Sequence, residues 1–129
     1  MTGEWLLDTN AMIDFLNGDF TLRERVADSP RLLLSIVVLA ELYVGAHKSA
    51  RTNENLARIE NLIFTSDLIN CDHGTAWEYG VIKNGLRLKG RLIPESDLWI
   101  AATARQHGLT LVTRDRHFEE IERLQIANW

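Results

Sequence analysis

Short apolar runs alternate with longer segments of helical periodicity along the chain. The runs predict buried strands, at Glu4–Leu7, Leu32–Ile36, Leu68–Ile69, Leu109–Thr113 and Leu124–Ile126. Helices are predicted at about 11–17 and 20–27, from the end of the second run to about 46, and at 53–64, 75–88 and 95–106, with a helical turn at 118–122. Strands separated by helices favour right-handed crossovers and a parallel sheet covered on both faces. The pattern therefore predicts an α/β fold.

Length and composition fit one soluble globular domain. The chain has 129 residues, of which 46% are hydrophobic and 25% charged, values that exclude a disordered or low-complexity protein. With neither a repeat nor a flexible linker in the sequence, a single domain over residues 1–129 is predicted. Cys71 has no partner for an internal disulfide, and the N-terminus has neither a basic segment nor a long apolar stretch. A cytoplasmic protein without a membrane partner is expected.

Four carboxylates stand where this fold would bring them to one edge of the sheet. Asp8 directly follows the first apolar run, and Asp115 follows the strongest predicted strand. Glu41 lies about one and a half turns beyond the second run, in an otherwise apolar segment, and Asp97 lies in the first turn of a helix. Ligand sites of parallel sheets lie outside the carboxyl ends of the strands, so these positions favour a shared site.

Each of these acids also has a purely structural interpretation. Asp8 can cap the following helix, Asp97 can be a first-turn acid favoured by the helix dipole, and Asp115 can be a turn residue. Glu41 is harder to explain in this way, because an unpaired carboxylate on a buried helix face is costly and no cation lies within a helical turn of it.

Converging acids predict a site for a hard divalent cation. Two unit charges about 4 Å apart repel by about 4 kcal/mol at an effective dielectric constant of about 20, so such a pocket takes up protons or binds a cation. Oxygen ligands suit Mg²⁺ or Mn²⁺ rather than Zn²⁺, and no His or Cys set is expected to converge with them. The histidines show no ligand spacing and are expected at the surface or at helix ends, although His117, two residues after Asp115, could reach the pocket. The neutral side chains predicted to support the acids or to position a phosphate are Thr9, Asn10, Ser35 and Thr113.

The motifs around these acids resemble those of PIN domains, and in particular those of VapC-type toxins of bacterial type II toxin–antitoxin systems. They are the segment Leu6–Asn10, Ser35 followed by Ala40–Leu42 and Gly45, the segment Asp97–Ala104, and Leu111–Asp115 with Phe118. These motifs occur in order, and the resemblance spans essentially the whole chain.

The resemblance implies a Mg²⁺- or Mn²⁺-dependent endoribonuclease with a three-layer α/β/α sandwich around a central parallel sheet. It places the metal-binding acids at Asp8, Glu41, Asp97 and Asp115, the last at a position where the family has either Asp or Asn. It also implies a homodimer and a cognate VapB-type antitoxin that blocks the site, with DNA contacted only through the antitoxin.

The charge balance limits how an RNA substrate can be held. The net charge of −4 is unusual for a protein that binds nucleic acid mainly by neutralising phosphates. An RNA must therefore meet a local basic surface or bound cations. The candidates for phosphate contacts are Lys83, Arg87, Arg114 and Arg116, although a solvated helix face explains the first two equally well.

Two other functions fit parts of the pattern. A haloacid-dehalogenase-like phosphatase also places an Asp after its first strand, but its chemistry needs a second Asp two residues later, where this chain has Asn10. A catalytically inactive module would use the same acids only to bind a basic partner. The presence of all four acids favours the nuclease.

Overall fold

Five parallel strands form the centre of the computed structural model, which describes residues 4–129. They are β1 (Trp5–Leu7), β2 (Leu33–Ser35), β3 (Asp67–Ile69), β4 (Thr110–Val112) and β5 (Ile126–Ala127), in the spatial order β3-β2-β1-β4-β5. Every neighbouring pair is parallel, as predicted. Residues 1–3 of the predicted single domain lie outside the described residues.

Helices cover this sheet on both faces, which confirms the predicted three-layer sandwich. They are α1 (Thr9–Leu16), α2 (Phe20–Ala27), α3 (Ile36–Lys48), α4 (Thr52–Thr65), α5 (His73–Leu88) and α6 (Glu95–Gln106), and a 3₁₀ helix spans Arg116–Glu120. Within residues 4–129, none of the helices has the length and apolar composition needed to cross a membrane.

Side-chain caps explain where the structure departs from the predicted helix bounds. The first helix begins two residues earlier than predicted, because the Asp8 carboxylate accepts the N–H of Ala11 at 2.8 Å and caps it. The predicted turn at 118–122 is the 3₁₀ helix, which begins at Arg116 because the Asp115 carboxylate accepts the N–H of His117 at 3.2 Å. Both caps are acids that follow a strand.

The core lies between the sheet and its helices. Leu6, Leu34 and Leu111 of the three central strands are fully buried. In α6, the small residues Ala101, Ala102 and Ala104 are also fully buried. Their small side chains leave space for close packing, and this helix carries Asp97 in its first turn.

The strand order creates a crevice between β1 and β4. From β1 the chain crosses to β2 and β3 on one side, whereas β4 pairs with β1 on the other side. Such a switch in direction leaves an opening at the carboxyl ends of the two central strands. The register pairs Leu7 with Val112, so the next residues, Asp8 and Thr113, lie side by side at this opening.

Replacing Leu111 by Ala is expected to lower the free energy of unfolding by about 2–5 kcal/mol, because the lost side chain leaves a cavity in the packed sheet. Urea denaturation followed by circular dichroism measures the change. Leu92→Ala is the matched control, since Leu92 is 97% exposed and its truncation should change stability by less than about 0.5 kcal/mol. Equal effects of the two substitutions would contradict the burial of Leu111 in the core.

Candidate metal centre

Asp8 is buried at the carboxyl end of β1 and is held there by two hydrogen bonds. Its Oδ1 accepts the N–H of Ala11 at 2.8 Å, and its Oδ2 accepts the hydroxyl of Thr113 at 2.5 Å. Burial raises the pKa of Asp8, the hydrogen bonds from Thr113 and Ala11 oppose this shift, and the charge of Asp115 adds to it. Asp8 is therefore both a helix cap and a member of the predicted acid cluster.

Glu41 projects from α3 and contacts the first turn of α1. Ser35 caps α3, accepting the N–H of Val37 at 3.0 Å, which explains why the helix begins directly after β2. The hydroxyl of Thr9 donates to Oε1 of Glu41. Glu41 is half-buried and forms no ion pair within residues 4–129, so its charge has no cationic partner in this part of the chain.

Asp97 and Asp115 lie on either side of the His117 ring. Asp97 belongs to the first turn of α6, and Asp115 follows β4. Nε2 of His117 is 2.8 Å from Oδ2 of Asp97, and its Nδ1 is 2.9 Å from Oδ1 of Asp115. One donor atom from each of the three residues lies within 4.8 Å of the other two, a separation that one metal ion can span.

The electrostatics link all four acids. Burial raises the pKa of Asp97, His117 opposes the shift, and the charges of Glu41 and Asp8 add to it. The charge of Asp115 likewise raises the pKa of Asp8. The structure thus groups Asp97 and Asp115 around His117, with Asp8 and Glu41 near enough for their charges to act on Asp97. The donor set, carboxylate oxygens with one imidazole nitrogen and an excess of negative charge, fits a divalent cation.

His117 is the residue that the sequence prediction missed. It lies at the start of the 3₁₀ helix, in keeping with the expected helix-end position, but its ring also contacts Asp97 and Asp115, whereas no histidine is expected to converge with the acids. The usable signal was its position two residues after Asp115, because an acid that caps a tight turn brings the second residue of that turn back towards the strand end.

The four predicted supporting residues differ in what they contact. Thr9 and Thr113 each donate a hydrogen bond to one of the acids. Ser35 is buried and caps α3, so it positions Glu41 only through the helix. Asn10 is exposed and lines a cavity of about 440 Å³ beside Asp8.

Two of the predicted RNA-binding residues, Arg114 and Arg116, line this same cavity but differ in their partners. Arg114 is 3.2 Å from the carboxylates of both Asp14 and Asp19, and it donates to the Trp129 carbonyl at 2.8 Å. Arg116 has a side chain that is 90% exposed, and its guanidinium lies 3.9 Å from Glu119. The Arg114 guanidinium is therefore held by contacts within the chain, whereas the exposed Arg116 side chain is accessible to a ligand.

The other two basic candidates lie on α5 and contact neighbouring side chains. Lys83 is 3.2 Å from the Glu95 carboxylate at the start of α6. Arg87 donates to the side-chain carbonyl of Asn84 at 2.8 Å. Both are exposed, and their role in phosphate binding stays a prediction.

Asp8→Asn is expected to raise the Tm of the metal-free protein at pH 7 by a few degrees, since 1 kcal/mol moves the Tm of a domain of this size by about 4 °C. Burial raises the folded-state pKa of Asp8 above its ordinary value of 3.8, so stability is lost as the pH rises through that folded-state pKa. The gain should therefore shrink as the pH falls from 7 towards 4. Thermal melts in EDTA test this, with Asp28→Asn at an exposed position as the control; a lower Tm for Asp8→Asn at pH 7 would contradict it.

Comparison with known proteins gives a consistent result over nearly the full length. The family model described as PIN domain matches residues 5–124. Ribonuclease VapC2 of Haemophilus influenzae is 33% identical over 135 aligned residues, and the tRNA(fMet)-specific endonuclease VapC of Shigella flexneri is 35% identical over 129; each alignment covers 98% of both chains. The crystal structure of DNA-bound VapBC from Salmonella typhimurium matches with a TM-score of 0.92 at 33% identity, covering 99% of each chain. The chain therefore belongs to the PIN-domain family, among the VapC ribonucleases.

Proposed function

We propose that this protein is a divalent-metal-dependent endoribonuclease and the toxin of a type II toxin–antitoxin pair. The observation that carries the proposal is that Asp97 and Asp115 share one cluster with His117, while Asp8 and Glu41 lie near enough for their charges to act on Asp97. A cavity lined by Asp8 and Asp115 opens beside this cluster. Relatives that match almost the entire chain are named ribonuclease and tRNA-specific endonuclease, which supports RNA as the substrate class.

The acids would hold Mg²⁺ or Mn²⁺, directly or through water. PIN-domain nucleases depend in general on divalent cations, and the donor set described above fits one. When bound, the cation supplies a coordinated water of lowered pKa and positive charge for the scissile phosphate. Thr113 and the Ala11 amide fix the orientation of Asp8, and Thr9 fixes that of Glu41. Hydrolysis of the phosphodiester leaves a 5′-phosphate and a 3′-hydroxyl.

Neither alternative function is favoured. A haloacid-dehalogenase-like phosphatase needs an acid two residues after Asp8, and this position is the exposed, neutral Asn10. An inactive binding module has no need to crowd acids together in a partly buried site, since charge repulsion there costs stability. The excess of negative charge is explained more simply by a cation.

The cognate partner in this proposal is a VapB-type antitoxin, which binds an apolar groove between α1, α3 and α4. The groove has a volume of about 240 Å³, its walls include Ile13, Leu42 and Ile59, and Glu41 lies on its lining. An antitoxin segment seated there would reach the acid cluster directly. The crystal structure from Salmonella typhimurium is itself a DNA-bound VapBC complex, which supports a partner of this kind. The homodimer, and contact with DNA only through the antitoxin, stay predictions of the resemblance.

The helix α4 carries an apolar stripe of Leu56, Ile59, Leu62 and Ile63, which could line an antitoxin groove, form a dimer surface or pack into the chain's own core. Leu62 of the stripe is buried in the chain's own core, and Ile59 both joins the core and lines the groove. The stripe therefore serves mainly to pack α4 on α3.

Asp97→Asn is expected to lower RNA cleavage by at least about 100-fold, because it removes a charged oxygen from the cation site. Cleavage of a mixed RNA substrate by the purified protein, with mapping of the product ends, measures the rate and the position of the phosphate. EDTA should abolish cleavage and added Mg²⁺ or Mn²⁺ should restore it. Asp28→Asn, at an exposed position, should leave the rate unchanged; equal cleavage with EDTA and with Mg²⁺ would refute the proposal.

Arg116→Ala is expected to weaken binding of single-stranded RNA. It should also lower the slope of log Kd against log salt by about 0.7, the value expected for the loss of one phosphate contact on a single strand. Fluorescence anisotropy in the Asp97→Asn background measures binding without cleavage. Arg114→Ala is the comparison. It should lower the Tm, because it removes the ion pairs with Asp14 and Asp19 and the hydrogen bond to the Trp129 carbonyl. It should change the salt slope less than Arg116→Ala does. The reverse result would assign the phosphate contact to Arg114.

A further inference from the structure

We propose that His117 supplies a nitrogen ligand to the bound cation, and that Asp115 acts on the cation by positioning this ring. The inference rests on the proposed function, because it concerns the same cation. It changes the expected ligand set, which contained oxygen atoms alone, and it gives Asp115 a role distinct from that of the other acids.

The ring lies where a second ligand would lie. Two ligands at right angles, each about 2.1 Å from an octahedral ion, are about 3 Å apart. Nε2 of His117 and Oδ2 of Asp97 are separated by 2.8 Å, which is close to that spacing. A cation bound by Asp97 at this oxygen would therefore have Nε2 within reach without a large movement of either side chain.

Asp115 holds the other side of the ring. Its Oδ1 is 2.9 Å from Nδ1 of His117 and also accepts the backbone N–H of the same residue at 3.2 Å. A histidine ligand usually donates its second ring N–H to a carboxylate, which fixes the tautomer and the direction of the lone pair. With Nδ1–H donated to Asp115, Nε2 is the ring atom left to bind a cation on the side of Asp97, and a proton shared between Nε2 and Asp97 in the ion-free protein leaves when the cation binds.

Hydrogen bonds connect this arrangement to the rest of the acid cluster. The Asp115 N–H donates to Oγ1 of Thr113 at 3.0 Å, and that hydroxyl donates to Asp8. The side chain that follows His117 is Phe118, which is fully buried. The turn is thus fixed at both ends, and the His117 side chain remains 28% exposed.

A nitrogen ligand changes which ion the site prefers. Mg²⁺ is bound mainly through carboxylates and water, whereas imidazole is a common ligand of transition-metal ions. The site should therefore bind Mn²⁺ more tightly than Mg²⁺, and His117 should be the source of the difference.

The first test measures ligation directly on the Mn²⁺ complex of the full chain. Electron spin-echo modulation should contain coupling from a directly bound ¹⁴N, and labelling with ¹⁵N-histidine should change its frequency. His117→Gln should abolish the coupling and weaken Mn²⁺ binding by about 10-fold or more in calorimetry, while Mg²⁺ binding changes by less than about 3-fold. His107→Gln, an exposed histidine at the end of α6, should change none of these.

The second test separates positioning from ligation. Asp115→Asn keeps an oxygen that accepts the Nδ1 proton, so the nitrogen coupling should persist. Asp115→Ala removes this acceptor and should reduce the coupling and the preference for Mn²⁺, with circular dichroism confirming that the chain remains folded. Unchanged coupling and ion preference in Asp115→Ala would overturn the positioning role.

Failure of this inference is distinguishable from failure of the nuclease proposal. A wild-type protein that cleaves RNA with added Mg²⁺ but has no nitrogen coupling with Mn²⁺ overturns the inference alone, as does a loss of both affinities to the same extent in His117→Gln. A protein that binds Mn²⁺ through nitrogen and does not cleave RNA overturns the nuclease alone. Absence of both Mn²⁺ and Mg²⁺ binding, with no cleavage of RNA, overturns both.

Discussion

The parallel pairing of β1 with β4 is the constraint on which the site depends. Its register places Leu7 opposite Val112, and the Asp8 N–H extends the pairing by donating to the Val112 carbonyl at 3.1 Å. The backbone register alone therefore makes the next residues along the two strands, Asp8 and Thr113, neighbours, whatever rotamers their side chains adopt. A slip of one residue would turn Asp8 to the opposite face of the sheet, away from the other acids.

Around Asp8 and Thr113, the fold places carboxylates closer together than is favourable for the stability of the metal-free protein. Asp8 and Asp97 both have pKa values raised by burial, and neighbouring acids add to each shift. Hydrogen bonds from hydroxyl and amide donors offset part of the cost without neutralising the charge. A cation that binds at this edge would relieve the remaining repulsion between the carboxylates. This repulsion therefore favours cation binding by the folded protein.

Much of this organisation was predictable from the sequence, because strands, caps and strand-exit acids leave local signals. The strand runs, the cap at Asp8 and the placement of Asp115 after β4 all follow from short segments. The contacts that could not be predicted join distant segments. Arg114 is neutralised by Asp14 and Asp19, which lie 100 and 95 residues away along the chain, so its local context gave the impression of an available phosphate ligand. His117 was missed for a similar reason, since its Asp97 partner lies 20 residues earlier on another element.

Phe118 has a consequence for how the site operates. Its ring is completely enclosed by the core, while its neighbour His117 contacts Asp97 and Asp115 and is partly exposed. Moving the backbone of this turn away from the acids would pull a phenyl ring out of a close-packed interior, at a cost of several kcal/mol. The donors at this edge are consequently preorganised, and an arriving ion or phosphodiester pays little entropy to order them. The surfaces around the cavity then determine which substrate is selected. They can vary while the turn that carries His117 and Phe118 stays the same.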